Sequence, residues 1–309
     1  MKFVKYPSIE NHYREKFIHS IQVNTPSDIE WVATEKLHGA NLGIWCNGDE
    51  VKFSRRSGFI PEGEKFYQLD TIRDELEENV MNFYRDSCVS GEILTIYGEL
   101  VGEGVQKDVS YAKGNDFIAF DVMINDEFYP FSDTLIFDLN RCSIKTVPVI
   151  FRGSLKECLE LDNEFNSLLQ SGDESFICEG LVIKPLGSLY QILPSGSRAI
   201  IKSKNEKFSE VSKKPKSNKP AKVISGKSFD ISSDIELYLT ENRLSNVISK
   251  HGEFENKMFG KIMYEFILDA IEDWCKDNER DWNLFEKTER KDIQSLLVNT
   301  ARDMVKKLL

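Results

Sequence analysis

The sequence lacks any apolar run approaching the roughly 20 residues that cross a bilayer, so no helical membrane span is expected. The opening residues, Met1-Lys-Phe-Val-Lys-Tyr-Pro, hold no apolar stretch of the kind a signal peptide needs. Paired C-x-x-C cysteines are also missing. Six cysteines are scattered at 46, 88, 142, 158, 178 and 275, and reduced thiols in a cytosolic compartment explain them better than disulfides or a zinc site. Nor is there a surplus of positive charge: 40 Lys and Arg face 51 Asp and Glu, a net −11. That balance by itself argues against a polyanionic partner. No internal repeat is visible.

What is present is size and texture. With 309 residues, 40% apolar and 29% charged, the chain can bury a sizeable core as one large domain or two unequal ones. Short β-rich runs recur at Asn41–Trp45, Glu92–Tyr97, Phe117–Val122, Gly180–Lys184 and Ala199–Lys202. Gly, Asn, Asp and Pro turns separate them, which predicts an α+β domain of antiparallel sheets with flanking helices over residues 1–210. The spacing over Glu62–Tyr84 predicts a helix. Residues 211–228 (VSKKPKSNKPAKVISGKS) are rich in Lys, Ser and Pro and read as a basic linker. From 229 to 309, apolar residues recur at three- and four-residue spacing (Ile262, Met263, Phe266, Ile267, Ala270, Ile271, Trp274; then Ile293, Leu296, Leu297, Met304, Val305, Leu308), as in a small all-α domain. Charge distribution also tempers the net value. Between Arg198 and Lys227 ten Lys and Arg meet two Glu, a local surplus of eight.

The residues that could carry chemistry follow one another in order. Glu35-Lys36-Leu37-His38-Gly39-Ala40-Asn41 places a lysine beside a carboxylate, a histidine and an asparagine on a turn leading into an apolar strand. K-x-x-G alone is weak, for it occurs at Lys36, Lys184 and Lys257; the company of Lys36 sets it apart. A lysine of reference pKa about 10.4 must be neutral to attack phosphorus, and nearby cations or a metal would both favour that and neutralise a phosphate. Arg55-Arg56-Ser57-Gly58 offers a guanidinium for a phosphate. Glu99, in Tyr97-Gly98-Glu99, offers a carboxylate at a strand end for a hydroxyl or a metal. In Phe117–Val122, alternation would point Ile118, Phe120 and Val122 together, and Phe120 could stack on a base. Glu179 and Lys184 bracket a strand. They line one face only if Glu179 sits in the preceding turn, whereas Lys202 and Lys204 share a face outright.

This series resembles the covalent nucleotidyltransferases, and within them the RNA ligase 2 family, on E-K-x-H-G-x-N at residues 35–41 and the later motifs up to Lys204. The resemblance implies an ATP-dependent RNA ligase joining 3′-hydroxyl and 5′-phosphate ends through lysyl-AMP on Lys36, with ATP and Mg²⁺ as cofactors. It implies that Glu35, His38, Asn41, Arg56, Glu99, Phe120, Lys184, Lys202 and Lys204 surround the nucleotide and that Glu179 serves the metal. The helical tail would act on the polynucleotide. RNA, as a nicked duplex or broken strand, is the expected partner of a monomeric chain in the cytoplasm (of the host, if viral). A DNA ligase or capping-type guanylyltransferase of the same superfamily, or a non-catalytic nucleic-acid-binding protein, are the alternatives.

Overall fold

The computed structural model describes residues 1–309 except 107, 108, 110, 112, 113, 170–175, 188–190, 211–225 and 309. The expected linker thus lies outside the described residues up to position 225. The strands are β1 (Glu10–Asn11), β2 (Trp31–Lys36), β3 (Ala40–Cys46), β4 (Val51–Arg55), β5 (Gly58–Phe59) and β6 (Leu94–Gly102). They continue as β7 (Asn115–Ile124), β8 (Glu127–Phe128), β9 (Lys145–Thr146), β10 (Val149–Gly153), β11 (Gly180–Pro185) and β12 (Ile201–Lys204). The helices are α1 (Glu15–Asn24), α2 (Arg73–Ser87), α3 (Asp133–Arg141), α4 (Leu155–Leu159), α5 (Gly226–Glu236), α6 (Glu241–Ser249), α7 (Phe259–Asp277) and α8 (Lys287–Lys306). They divide into two compact units, Met1–Lys207 with Lys250–Gly252, and Phe208–Ser249 with Glu253–Leu309.

Two sheets build the first unit, one in the order β1-β12-β11-β2-β10 and the other β5-β4-β3-β6-β7-β8 with β9 beside β7. Pairing is antiparallel apart from β1 with β12 and β7 with β9. This is the α+β architecture that the strand runs predict. Alternation sorts the faces. In the first sheet Trp31, Ala33, Leu181, Ile183 and Ile201 pack at the rear with Ile21 of α1 and Leu155 of α4. The opposite parity, Lys36, Thr34, Val182, Lys184, Lys202 and Lys204, shares the front. In the second sheet Leu42, Ile44, Leu94, Ile96 and Phe117 cover Val80 and Phe83 of α2 and Leu135 of α3. Each such large side chain, fully buried, contributes about 1.5–3 kcal/mol.

Three expectations are corrected. The helix over Glu62–Tyr84 begins only at Arg73. Gly63 (φ +75°) and Tyr67 (φ 51°) are left-handed, and the loop instead buries Phe66 and Leu69 in the core. Glu99 lies inside β6 rather than at a strand end. Gly98 keeps the strand running, because a Cβ there would meet the Phe117 ring at 2.4 Å. In β7, Tyr97 pairs with Asp121 but Gly98 with Ala119, so Phe120 is an extra residue, a β-bulge. Val122 therefore joins Ala119 in the rear core, while Phe120 packs with Tyr6 and Tyr97, not with Val122.

The second unit follows its periodicity. Ile262, Phe266, Ile267, Ala270, Ile271 and Trp274 of α7 pack on Ile293, Leu297, Ala301 and Val305 of α8. At its centre Arg243 of α6, 1% exposed, meets Asp269 (2.5 Å), Asp273 (2.9 Å) and Glu210 (3.5 Å), and its Nε donates to the Tyr238 carbonyl (2.9 Å).

Candidate active site

Lys36 ends β2 and Ala40 opens β3, so Leu37, His38 and Gly39 form the turn that carries the chain from one sheet to the other. Glycine is required here. A Cβ on Gly39 would lie 2.3 Å from the Leu100 carbonyl oxygen and 2.8 Å from Glu99 Cγ. The turn is clamped by side chains: Gly39 N–H donates to Glu99 Oε1 (3.1 Å), His38 N–H to the Tyr111 hydroxyl (2.9 Å), and the Gln106 amide to the Gly39 carbonyl (3.1 Å).

In front of the turn one carboxylate gathers three basic groups. Lys36 Nζ lies 2.6 Å from Glu179 Oε2, Lys204 Nζ 2.7 Å from Oε1, and His38 Nδ1 3.5 Å from Oε2. Glu179 sits in the turn before β11, the placement needed for it to share a site with Lys184. Gly180 makes that placement possible. At φ +140° its Cβ would stand 2.0 Å from the Ser203 carbonyl oxygen, so a side chain would wedge β11 off β12. Burial of Glu179 opposes its charge, but the Lys204 and Lys36 ammoniums and His38 override it and hold the carboxyl well below the usual range.

Glu99 behaves in the opposite way. Burial, with Glu179 as a second contributor, pushes its carboxyl up to about 7, against the pull of Lys36, Gly39 N–H and Arg56. Asn41 stands opposite Glu99 in the β3–β6 register. Arg56, in the turn after β4, has no ion pair among the described residues, whereas Arg55 is paired with Glu64. Arg56 is near enough to Glu99 to favour its charged form. Glu179 offers hard carboxylate oxygens beside Lys36, the donor chemistry that a divalent cation such as Mg²⁺ takes.

The remaining front residues lie further along. Lys184 stands opposite Val32, four residues from Lys36 on β2, about 13 Å along a strand rising 3.3 Å per residue. Its Nζ donates to the Phe120 carbonyl (2.6 Å) and Asp121 Oδ1 (3.1 Å), and lies 3.8 Å from the centre of the Phe131 ring. Lys202, opposite Val182, stands between the two ends. Glu35 is not brought to the front. It pairs with Leu181 on the rear face, accepts from Leu168 N–H (2.9 Å), and burial raises its pKa.

Sequence reasoning missed four side chains: Gln106, Tyr111, Asp121 and Arg198. Asp121 was in view beside Phe120, but strict alternation turned it to the wrong face. Arg198, counted with the basic stretch, is buried and ion-paired to Asp121 at 2.7 Å.

The front face thus has a reactive end, where an amine meets carboxylates and cations, and an aromatic end about a nucleotide's length away. An amine so placed can take a nucleotidyl group and pass it on, which defines a covalent nucleotidyltransferase. Comparison with known proteins narrows the class. The RNA ligase family model matches residues 29–204, and the T4 RNA ligase 2 C-terminal model matches residues 222–303. The chain belongs to the RNA ligase family, ATP-dependent enzymes that act on RNA. RNA-editing ligase 2, mitochondrial, of Trypanosoma brucei brucei is 24% identical over 98% of this chain and 90% of its own length. RNA-editing ligase 1 of the same organism is 25% identical over 93% and 76%. Among solved structures, Naegleria gruberi RNA ligase with pyrophosphate shares the fold at TM-score 0.51 and 21% identity. A variant of that ligase with ATP and manganese has TM-score 0.52 and 20% identity. Each covers 67% of this chain, which spans 58% of theirs.

Proposed function

We propose that this RNA ligase seals 3′-hydroxyl and 5′-phosphate RNA ends with Lys36 as the adenylated nucleophile. Lys36 Nζ, once deprotonated, attacks the α-phosphorus of ATP. A nitrogen–phosphorus bond forms, the bond to the β-phosphate oxygen breaks, and pyrophosphate leaves. A 5′-phosphate oxygen of RNA then displaces Lys36 from the adenylyl phosphorus. Finally a 3′-hydroxyl loses its proton and attacks the activated 5′-phosphate, and AMP departs as the strands join. Each transfer needs in-line placement, which a strand-end lysine on a clamped turn supports.

The chain's own groups divide this work. Lys204, Lys202 and Arg56 would take the phosphate charge, Asn41 and Glu99 the sugar side, and Phe120 with Lys184 the base. Glu179 would hold Mg²⁺, which neutralises phosphate charge when bound. Glu35 would act through the rear of β2, fastening the strand that ends in Lys36. The observation that carries the reading is the shared carboxylate of Glu179 between Lys36 and Lys204.

Three finer points go with it. The substrate is a nicked duplex or a broken strand, engaged by the second unit with the linker lysines, and the enzyme is a monomer. The domains are those set by texture, 1–210, 211–228 and 229–309. A reducing compartment suits six free cysteines; the two trypanosome relatives carry "mitochondrial" in their names, and no helix among the described residues is long and apolar enough to cross a membrane.

Intact-mass measurement with ATP and Mg²⁺ tests the core of this. The wild-type chain is expected to gain one AMP and Lys36→Ala none. An adduct that persists in Lys36→Ala removes Lys36 from its role. Parallel assays on nicked RNA and nicked DNA, and with GTP in place of ATP, separate the ligase from its superfamily relatives.

A further inference from the structure

Behind the aromatic end of the site lies a buried network built from chain segments remote in sequence. The Asp121 carboxylate accepts from the Tyr6 hydroxyl (2.5 Å) and from Arg198 Nη1 (2.7 Å) on Oδ2, and from Lys184 Nζ (3.1 Å) on Oδ1. Arg198 Nη1 also donates to the Tyr6 hydroxyl (3.1 Å), and its guanidinium lies 3.6 Å from the centre of the Phe128 ring. All four polar residues are below 9% exposure, a costly arrangement unless each charge is held by others. The Tyr6 ring meets Phe120 edge-on with centroids 5.2 Å apart and Tyr97 at 5.0 Å. The Tyr97 hydroxyl in turn donates to the Val4 carbonyl (2.9 Å). One residue, Tyr6, therefore touches both the side chain proposed to stack on the base and the carboxylate that fixes Lys184.

Geometry explains why such a brace is needed. Phe120 is the extra residue of a bulge, so no partner across the ladder opposes it. Its carbonyl is spent on Lys184 Nζ. What fixes the bulge must come from outside the sheet, and Tyr6 and Arg198 supply it.

We propose that Tyr6 and Arg198 are positioning residues of the nucleotide site: through Asp121 they hold the Phe120 bulge and Lys184 in the arrangement that receives the base of ATP. Neither reaches the reacting amine. They act on nucleotide affinity rather than on the adenylyl transfer step.

The inference rests on the proposed lysyl-AMP chemistry, and the test separates the two. Self-adenylylation of the full chain is measured against ATP concentration for wild type, Tyr6→Phe, Tyr6→Leu, Arg198→Lys and Arg198→Met, with a melting curve for each. Tyr6→Phe keeps the ring and loses the hydroxyl. It is expected to raise the KM for ATP several-fold while the saturating rate stays within about threefold. Tyr6→Leu and Arg198→Met are expected to raise KM more than tenfold, and Arg198→Lys to recover part of that loss. Tyr6→Phe combined with Arg198→Met should raise KM by less than the product of the single effects, because both act through Asp121. Should Arg198→Met fail to fold, the Tyr6→Phe measurement decides alone. An unchanged KM in a folded Tyr6→Phe protein, or a fall in saturating rate at constant KM, overturns the proposal. Absence of AMP uptake by the wild type instead overturns the lysyl-AMP reading beneath it.

Discussion

The two units each bury a charge hub, and the hubs are unbalanced in opposite directions. In the first unit one carboxylate, Asp121, serves two cations, Lys184 and Arg198. In the second, one cation, Arg243, serves three carboxylates, Glu210, Asp269 and Asp273. Burial disfavours the Asp121 charge, yet Arg198 and Lys184 hold its pKa well below the carboxylate range, and burial lowers that of Lys184. The helical hub keeps its acids in partial contact with water, with side-chain exposures of 16–28% against 1% for the arginine. Solvent can meet its negative surplus. The positive surplus of the first hub has no such outlet, for its three side chains are only 2–5% exposed. One surplus is left to water; the other is kept dry, behind the residues proposed to receive the base.

That contrast can be broken or sharpened by substitution. The largest effect is expected at the reactive end. Glu179→Ala leaves Lys36 and Lys204 facing each other without their shared carboxylate, and lysyl-AMP formation should fall by about a hundredfold or more. Mass spectrometry at fixed ATP reads it, and a near-normal rate would strip Glu179 of its place in the chemistry.

Next comes Arg243→Ala, which abandons three acids around a buried vacancy. Breaking a buried pair from one side costs about 3–5 kcal/mol, and the partial exposure of these acids favours the low end. Denaturant unfolding should show that loss, while AMP uptake by the folded fraction stays within about threefold. A matching collapse of AMP uptake would erase the distinction between the hubs.

Glu99→Gln is a smaller and pH-dependent test. A carboxyl whose folded pKa stands at about 7 binds more protons folded than unfolded between the unfolded value near 4.3 and that point. Stability therefore falls as pH rises through this window, and the penalty is complete above it. Glu99→Gln should melt above wild type at pH 8 and level with it at pH 4.5. The same gain at both pH values would mean that the amide stabilises for another reason.

The smallest effect is expected from the linker. Replacing Lys213, Lys214 and Lys216 by Gln should flatten the dependence of log affinity for RNA on log salt by at most about 0.7 per lysine on a single strand. Titrations at several ionic strengths would show an unchanged slope if these lysines only solvate the chain.

How far the sequence could be read depended on how far apart the interacting residues lie. The front of the first sheet was legible because alternation along one strand is a local property: Lys202 and Lys204 had to share a face. So was the helical second unit, whose apolar spacing holds along α7 and α8, except that Leu308 falls beyond the end of α8 and is exposed. The order of motifs located Lys36, Glu99 and Glu179 without any knowledge of their contacts. What escaped was non-local or irregular. Tyr6 and Arg198 meet across 192 positions, and Tyr6 and Asp121 across 115, separations that leave no periodic trace. The loop at 63–72 has the composition of a helix but buries Phe66 and Leu69 instead. The glycines around Glu99 suggest that the strand ends there, although Gly98 lies inside it and admits the Phe117 ring.

The bulge in β7 has one more consequence. Deleting Phe120 would give the β6–β7 ladder unbroken pairing, with every following residue keeping its partner and its face. The shortened strand would be more regular than the natural one. Yet the ring that packs on Tyr6 would be gone, and the buried Lys184 would lose the carbonyl that it donates to. Regular pairing along this strand is thus given up for the contacts that one extra residue makes with Tyr6 and Lys184.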